Sequence, residues 1–135
     1  MMRQPDWKLR LIQYLSEAAR TPFAPGRHDC ALFAAGAVEA MTGMDYARPF
    51  KGRYTTLKGG LRILREAGFA DAVALAAAWL PEIAPAFAAP GDLAVIDTAA
   101  GPALGVVQGA GIYVLTPDRL GVVPLLGASR AFRVT

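Results

Sequence analysis

Cys30 is the only cysteine of the chain and His28 the only histidine, with Asp29 between them. Hydrolysis by a cysteine needs a thiolate, a base that shuttles its proton and a polar group that orients the base, so any cysteine-based hydrolysis must start in this stretch. The residues that follow, Ala31-Leu32-Phe33-Ala34-Ala35-Gly36-Ala37-Val38, have the apolar content of a buried helix, and Asp29 is a good N-cap for it. Cys30 then enters the helix at its positive end, where a thiol is expected to lean toward the thiolate. His28 precedes the helix. Side chains two residues apart generally diverge, so His28 is the weaker candidate for a base, set against a turn histidine that bonds its neighbours or solvent. Cysteine is also among the most often buried residues, so core packing is the plain reading of Cys30. Asp29 is most simply a cap.

One cysteine cannot close an internal disulfide, and one Cys with one His supplies too few soft ligands for zinc. Neither a metal nor a cofactor is expected. With 135 residues, 54% apolar and 19% charged, residues 1–135 should form a single domain with one real core. The formal charge is +3 and the isoelectric point near 9.4, yet the Arg and Lys residues are scattered along the chain rather than grouped in a stripe. Nucleic acid is therefore not expected as a partner. The longest apolar run, Val73 to Leu80, is far below the ~20 residues that span a bilayer, so no membrane span is expected. Met1 to Trp7 leads into an amphipathic pattern instead of an apolar signal core. Synthesis and folding in the cytoplasm are therefore expected.

The elements that must position Cys30 are legible in outline. Pro5-Asp6 followed by Trp7, Leu11, Tyr14, Leu15 and Ala18 predicts a capped helix ending before Pro22. The Cys30 helix runs to Gly43, and its Ala and Gly content suits a central helix pressed against a sheet. Met44 to Thr56 reads as a surface loop. Thr55 or Thr56 caps a third helix closing at Gly68, with Arg62 and Arg65 on a solvated face, and Asp71 to Leu80 is a short fourth helix. A Pro-rich connector through Pro90 follows. Leu93–Ile96, Ala103–Gln108, Ile112–Leu115, Val122–Leu125 and Ala131–Val134 are short Val, Ile and Leu runs between turns, predicting antiparallel strands. The plan is α+β, with helices at about 6–80 packed on a strand meander at about 92–134.

Asp29-Cys30 at a helix start, followed by Pro90-Gly91-Asp92-Leu93 opening a strand, resembles the NlpC-type cell-wall cysteine peptidases. That resemblance implies a papain-like fold. In the family a histidine opens the next strand in a His-Val-Gly-Ile-Tyr pattern, and a residue on the strand after it orients the imidazole. Here the matching stretch is Ala103-Leu104-Gly105-Val106-Val107, with Ala103 at the histidine position and Leu115 at the orienting position. Neither side chain relays a proton, so the resemblance implies a peptidase scaffold that has lost catalysis. Gly26 through Asp45, Gly52-Arg53-Tyr54 with Gly59, and Gly91-Asp92 with Ala103-Leu104-Gly105 are similar to small NlpC-like proteins encoded in tail gene regions of phages and gene transfer agents. This implies a virion component at the tail tip, assembled in the host cytoplasm, with other tail-tip or hub proteins as partners. The alternative is an active cysteine peptidase or amidase that acts on peptidoglycan during infection, through His28 or a partner's histidine. A third reading is a free cytoplasmic protein that binds a small ligand or nucleic acid.

Overall fold

The computed structural model describes residues 2–135. Its helices are α1 (Trp7–Arg20), α2 (Cys30–Thr42), α3 (Leu57–Glu66) and α4 (Ala72–Trp79). Three of them begin at side chains that accept an otherwise unpaired backbone N–H: Asp29 from Leu32, Thr56 from Gly59 and Asp71 from Ala74. Helix α1 departs from this rule. Asp6 lacks the extended backbone of a cap, and its carboxylate turns along the helix to accept from Arg10 at 2.7 Å.

Helix α2 is the centre of the helical layer, packed between α1 and the strands Gly101–Gln108 and Gly111–Leu115. Leu32, Phe33, Ala34, Ala35, Ala37, Val38 and Met41 are all buried, so small side chains are needed on several of its faces. Gly36 shows how close the contact is. A Cβ at this position would lie 2.2 Å from the Tyr14 hydroxyl, which donates to the Phe33 carbonyl at 2.8 Å, and Tyr14 stacks on the Phe33 ring. Gly36→Ala is thus expected to destabilise the protein by about 1 to 2 kcal/mol, overpacking outweighing the gain in helix propensity. Thermal melting will read the loss.

The strands are β1 (Glu82–Ile83), β2 (Leu93–Thr98), β3 (Gly101–Gln108), β4 (Gly111–Leu115), β5 (Leu120–Pro124) and β6 (Ala128–Phe132), in one antiparallel sheet ordered β1-β6-β2-β3-β4-β5. The expected meander holds from β2 to β5 and then breaks. β6 returns to pair with β2, and Glu82–Ile83, within the segment expected to be a connector, pairs outside it. Between β5 and β6 stands only the three-residue turn Leu125–Gly127. In a flat sheet those strands would lie four steps of about 4.8 Å apart, about 19 Å, whereas four residues reach at most about 14 Å. The sheet must therefore be strongly coiled.

Coiling explains why both faces are dry. Leu93, Val95, Leu104, Val106, Leu115 and Phe132, with Tyr113, face the helices. Ala94, Val107, Ile112 and Val114, with Ala103 and Ile96, form a second cluster on the other face, closed by Leu125 of the β5–β6 turn and by Ala88. Gly105 keeps that cluster tight, since a Cβ there would meet Ile112 Cγ2 at 2.4 Å. Among the described residues no helix is long and apolar enough to cross a membrane.

Candidate functional site

Asp29 is 1% exposed, and both its oxygens are occupied. Oδ1 accepts from Leu32 N–H at 3.0 Å; Oδ2 accepts from Gly26 N–H at 2.9 Å and from the Tyr54 hydroxyl at 2.6 Å. The turn before α2 is bound to the Tyr54 loop in the same place. Gly26 has φ +84°, a Cβ on it would sit 2.0 Å from the Tyr54 carbonyl oxygen, and its own carbonyl accepts from Gly52 N–H at 2.8 Å. The Tyr54 ring in turn covers Gly60. Gly26, Asp29, Gly52, Tyr54 and Gly60 thus form one knot at the mouth of α2. Tyr54 falls within Met44 to Thr56, the stretch expected to be a surface loop.

Cys30 is half-buried beside this knot. Burial pushes its thiol pKa up and the Asp29 carboxylate adds to the rise, outweighing the lowering effect of the Ala31 and Cys30 backbone N–H groups at the helix start. The expectation of a thiolate is reversed: the cap that shapes the helix terminus also puts a negative charge against the sulfur. Tyr54 is pushed up as well, by burial and then by its bond to Asp29, so its phenol stays protonated as the donor.

His28 is engaged with other groups. Its Nε2 lies 3.2 Å from the carbonyl of Ala18, near the end of α1, and its ring meets the Phe33 ring edge-on at 6.4 Å between centroids. A nitrogen facing a carbonyl carries the proton, which assigns the tautomer from its partner. The backbone is pinned too, Ala24 and His28 exchanging two N–H···O bonds of 2.8 Å. Among the described residues no hydrogen bond joins His28 to the Cys30 sulfur.

Ala103 and Leu115 do not share a site. Leu115 lies on the helix-facing side, but Ala103 packs into the second cluster, paired with Ile96 on the far face. A histidine at 103 would point away from α2, so reading Ala103 as the vacated base position opposite Cys30 is corrected. Leu104 is the β3 residue that faces the helices there, and it is apolar.

Asp92, the aspartate of the Gly-Asp-Leu motif, does more than end a turn. It is 1% exposed; Oδ1 accepts from Val134 N–H and Arg3 Nη2, both at 3.0 Å, and Oδ2 accepts from Ala89 N–H at 2.9 Å. Arg3 also donates to the carbonyls of Val134 and Pro90 and lays its guanidinium 4.1 Å over the Trp7 ring. Nothing in the local pattern marks Arg3, whose partner is 89 positions away. Among the described residues no group of three His, Cys, Asp or Glu is placed to hold a metal ion.

A family model described as a domain of unknown function, DUF6950, matches residues 2–134. No curated protein matches the chain.

Proposed function

The chain belongs to the DUF6950 family, and from that premise we propose that it is a structural component with a papain-like, NlpC-type scaffold and no hydrolytic activity, working at the tail tip of a phage-like particle through contacts with other tail proteins. The observation that carries the loss of catalysis is His28, whose Nε2 is given to the Ala18 carbonyl. No other imidazole exists in the chain, both Asp29 oxygens are committed, and the sulfur is held as a thiol. Helices first, a cysteine at the start of the central one and an antiparallel sheet packed on it support the papain-like reading. Support for the tail location is the likeness noted from the sequence, which falls on the Gly26, Gly52 and Tyr54 knot and on Gly91-Asp92 at the Arg3 clasp.

Two measurements test this. Purified protein incubated with peptidoglycan sacculi should release no more soluble fragments than Cys30→Ala, and iodoacetamide should label Cys30 with a half-maximal rate above the ordinary thiol pKa of about 8.5. Cys30-dependent turnover would overturn the loss of catalysis. Mass spectrometry of purified particles should find the chain, and its absence there would overturn the location.

A further inference from the structure

The basic residues are not evenly scattered: a run of them lies just before and along α3. From Tyr46 to Arg65 the chain has six Arg and Lys and no Asp or Glu, so this segment alone carries +6 against +3 for the whole protein. Lys51 is neutralised by Asp45 at 2.7 Å and Glu39 at 3.7 Å. Arg53, Lys58, Arg62 and Arg65 line two adjoining grooves of about 700 and 290 Å³ that meet at Thr56, Gly59 and Arg62.

These four cations are available. Arg53 and Arg65 each give one N–H to a carbonyl, of Pro49 and Ala70, which steadies the guanidinium and leaves the rest of its donors free. Arg62 and Glu66 stand 4.0 Å apart with both side chains more than two-thirds exposed, a loose pair of little energetic weight. Lys58 has no ion-pair partner among the described residues. Lys58 and Arg62 are four residues apart on one face of the helix, about 6 Å along the axis, and a nucleic-acid strand presents a phosphate about every 3.4 Å of duplex axis. Guanidinium forks suit phosphate oxygens, which a nucleic-acid strand offers in series along the grooves.

We propose that the grooves beside α3 bind a nucleic-acid backbone through Arg53, Lys58, Arg62 and Arg65. This goes beyond the tail-tip reading and does not depend on it. Fluorescence anisotropy with the full chain and labelled 20-nucleotide single strands and 20-base-pair duplexes tests it. Four phosphate contacts give a log–log salt slope of about −2.8 for the single strand and about −3.6 for the duplex, a roughly 50- to 150-fold loss of affinity between 50 and 200 mM salt. Lys58→Gln with Arg62→Gln should reduce the slope by about 2 and leave the melting temperature unchanged. Lys8→Gln with Arg119→Gln, the same charge change elsewhere on the surface, should leave binding as it was. The proposal is overturned by no binding at 50 mM salt, by equal loss in both double variants, or by polyglutamate competing as well as unlabelled DNA, which would assign the grooves to an acidic protein.

Discussion

Asp29→Ala should lower folding stability by about 3 to 4 kcal/mol, seen as a drop of roughly 2 M in the urea midpoint with an unchanged slope. Loss of the cap accounts for about 1 kcal/mol. The remainder comes from the Gly26 N–H and the Tyr54 hydroxyl, which the same carboxylate serves where water cannot replace it. Variants that remove one function at a time separate these parts. Tyr54→Phe leaves the carboxylate both of its backbone donors and should cost about 1 kcal/mol. Asp29→Asn keeps one acceptor for Leu32 but offers Gly26 no second oxygen, so its loss should fall between the two. Asp29→Asn also removes the charge that helps to raise the Cys30 pKa, so iodoacetamide should label the folded variant faster at neutral pH. An Asp29→Ala loss no larger than that of Tyr54→Phe would mean that the knot is held by packing of Tyr54 on Gly26 and Gly60, with the carboxylate incidental.

What could be read in the sequence follows how local the cause is. The caps at Asp29, Thr56 and Asp71 and the small-residue character of α2 depend on a few neighbouring residues, and the helices start where those residues indicate. Asp6 misled because a cap needs extended backbone as well as a carboxylate, and Arg10 one turn on competes for it. Ala103 misled for a different reason. Which face a strand residue takes depends on register, and a shift of one position turns every side chain over. The pairing of Ile96 with Ala103 and Val95 with Leu104 sets that register, and no motif match contains it. The return of β6 was hidden because a short connection ordinarily means a hairpin, and only the coiling of the whole sheet lets three residues carry the chain across. Counting basic side chains over the whole chain hid the acid-free run from Tyr46 to Arg65, and only the fold shows that the groove lined by Arg53 adjoins the one lined by Arg65.

Asp92→Ala should be the more damaging of the two buried aspartate variants, at about 3 to 5 kcal/mol, or roughly 10 to 20 °C in melting temperature for a chain of this size. Its carboxylate serves two backbone N–H groups and a guanidinium whose side chain is only 17% exposed, so removal strands a cation as well as two donors. Burial already lowers the Arg3 pKa, and Asp92 is the group that opposes this. Arg3→Met asks which half matters. It leaves Asp92 with the Val134 and Ala89 donors and keeps an apolar stem near Trp7, so a cost of about 1 to 2 kcal/mol is expected. If the pair is coupled, Asp92→Ala in the Arg3→Met background should cost clearly less than it does in the parent, because no stranded cation remains. The sites should also fail in different places. Hydrogen exchange in Asp92→Ala should open first at Val134 and β6, where the chain's two ends are tied to β2, while α2 stays protected. Equal deprotection of α2 and β6 would show that the tie at the chain's ends and the Asp29 knot at the thiol belong to one cooperative unit.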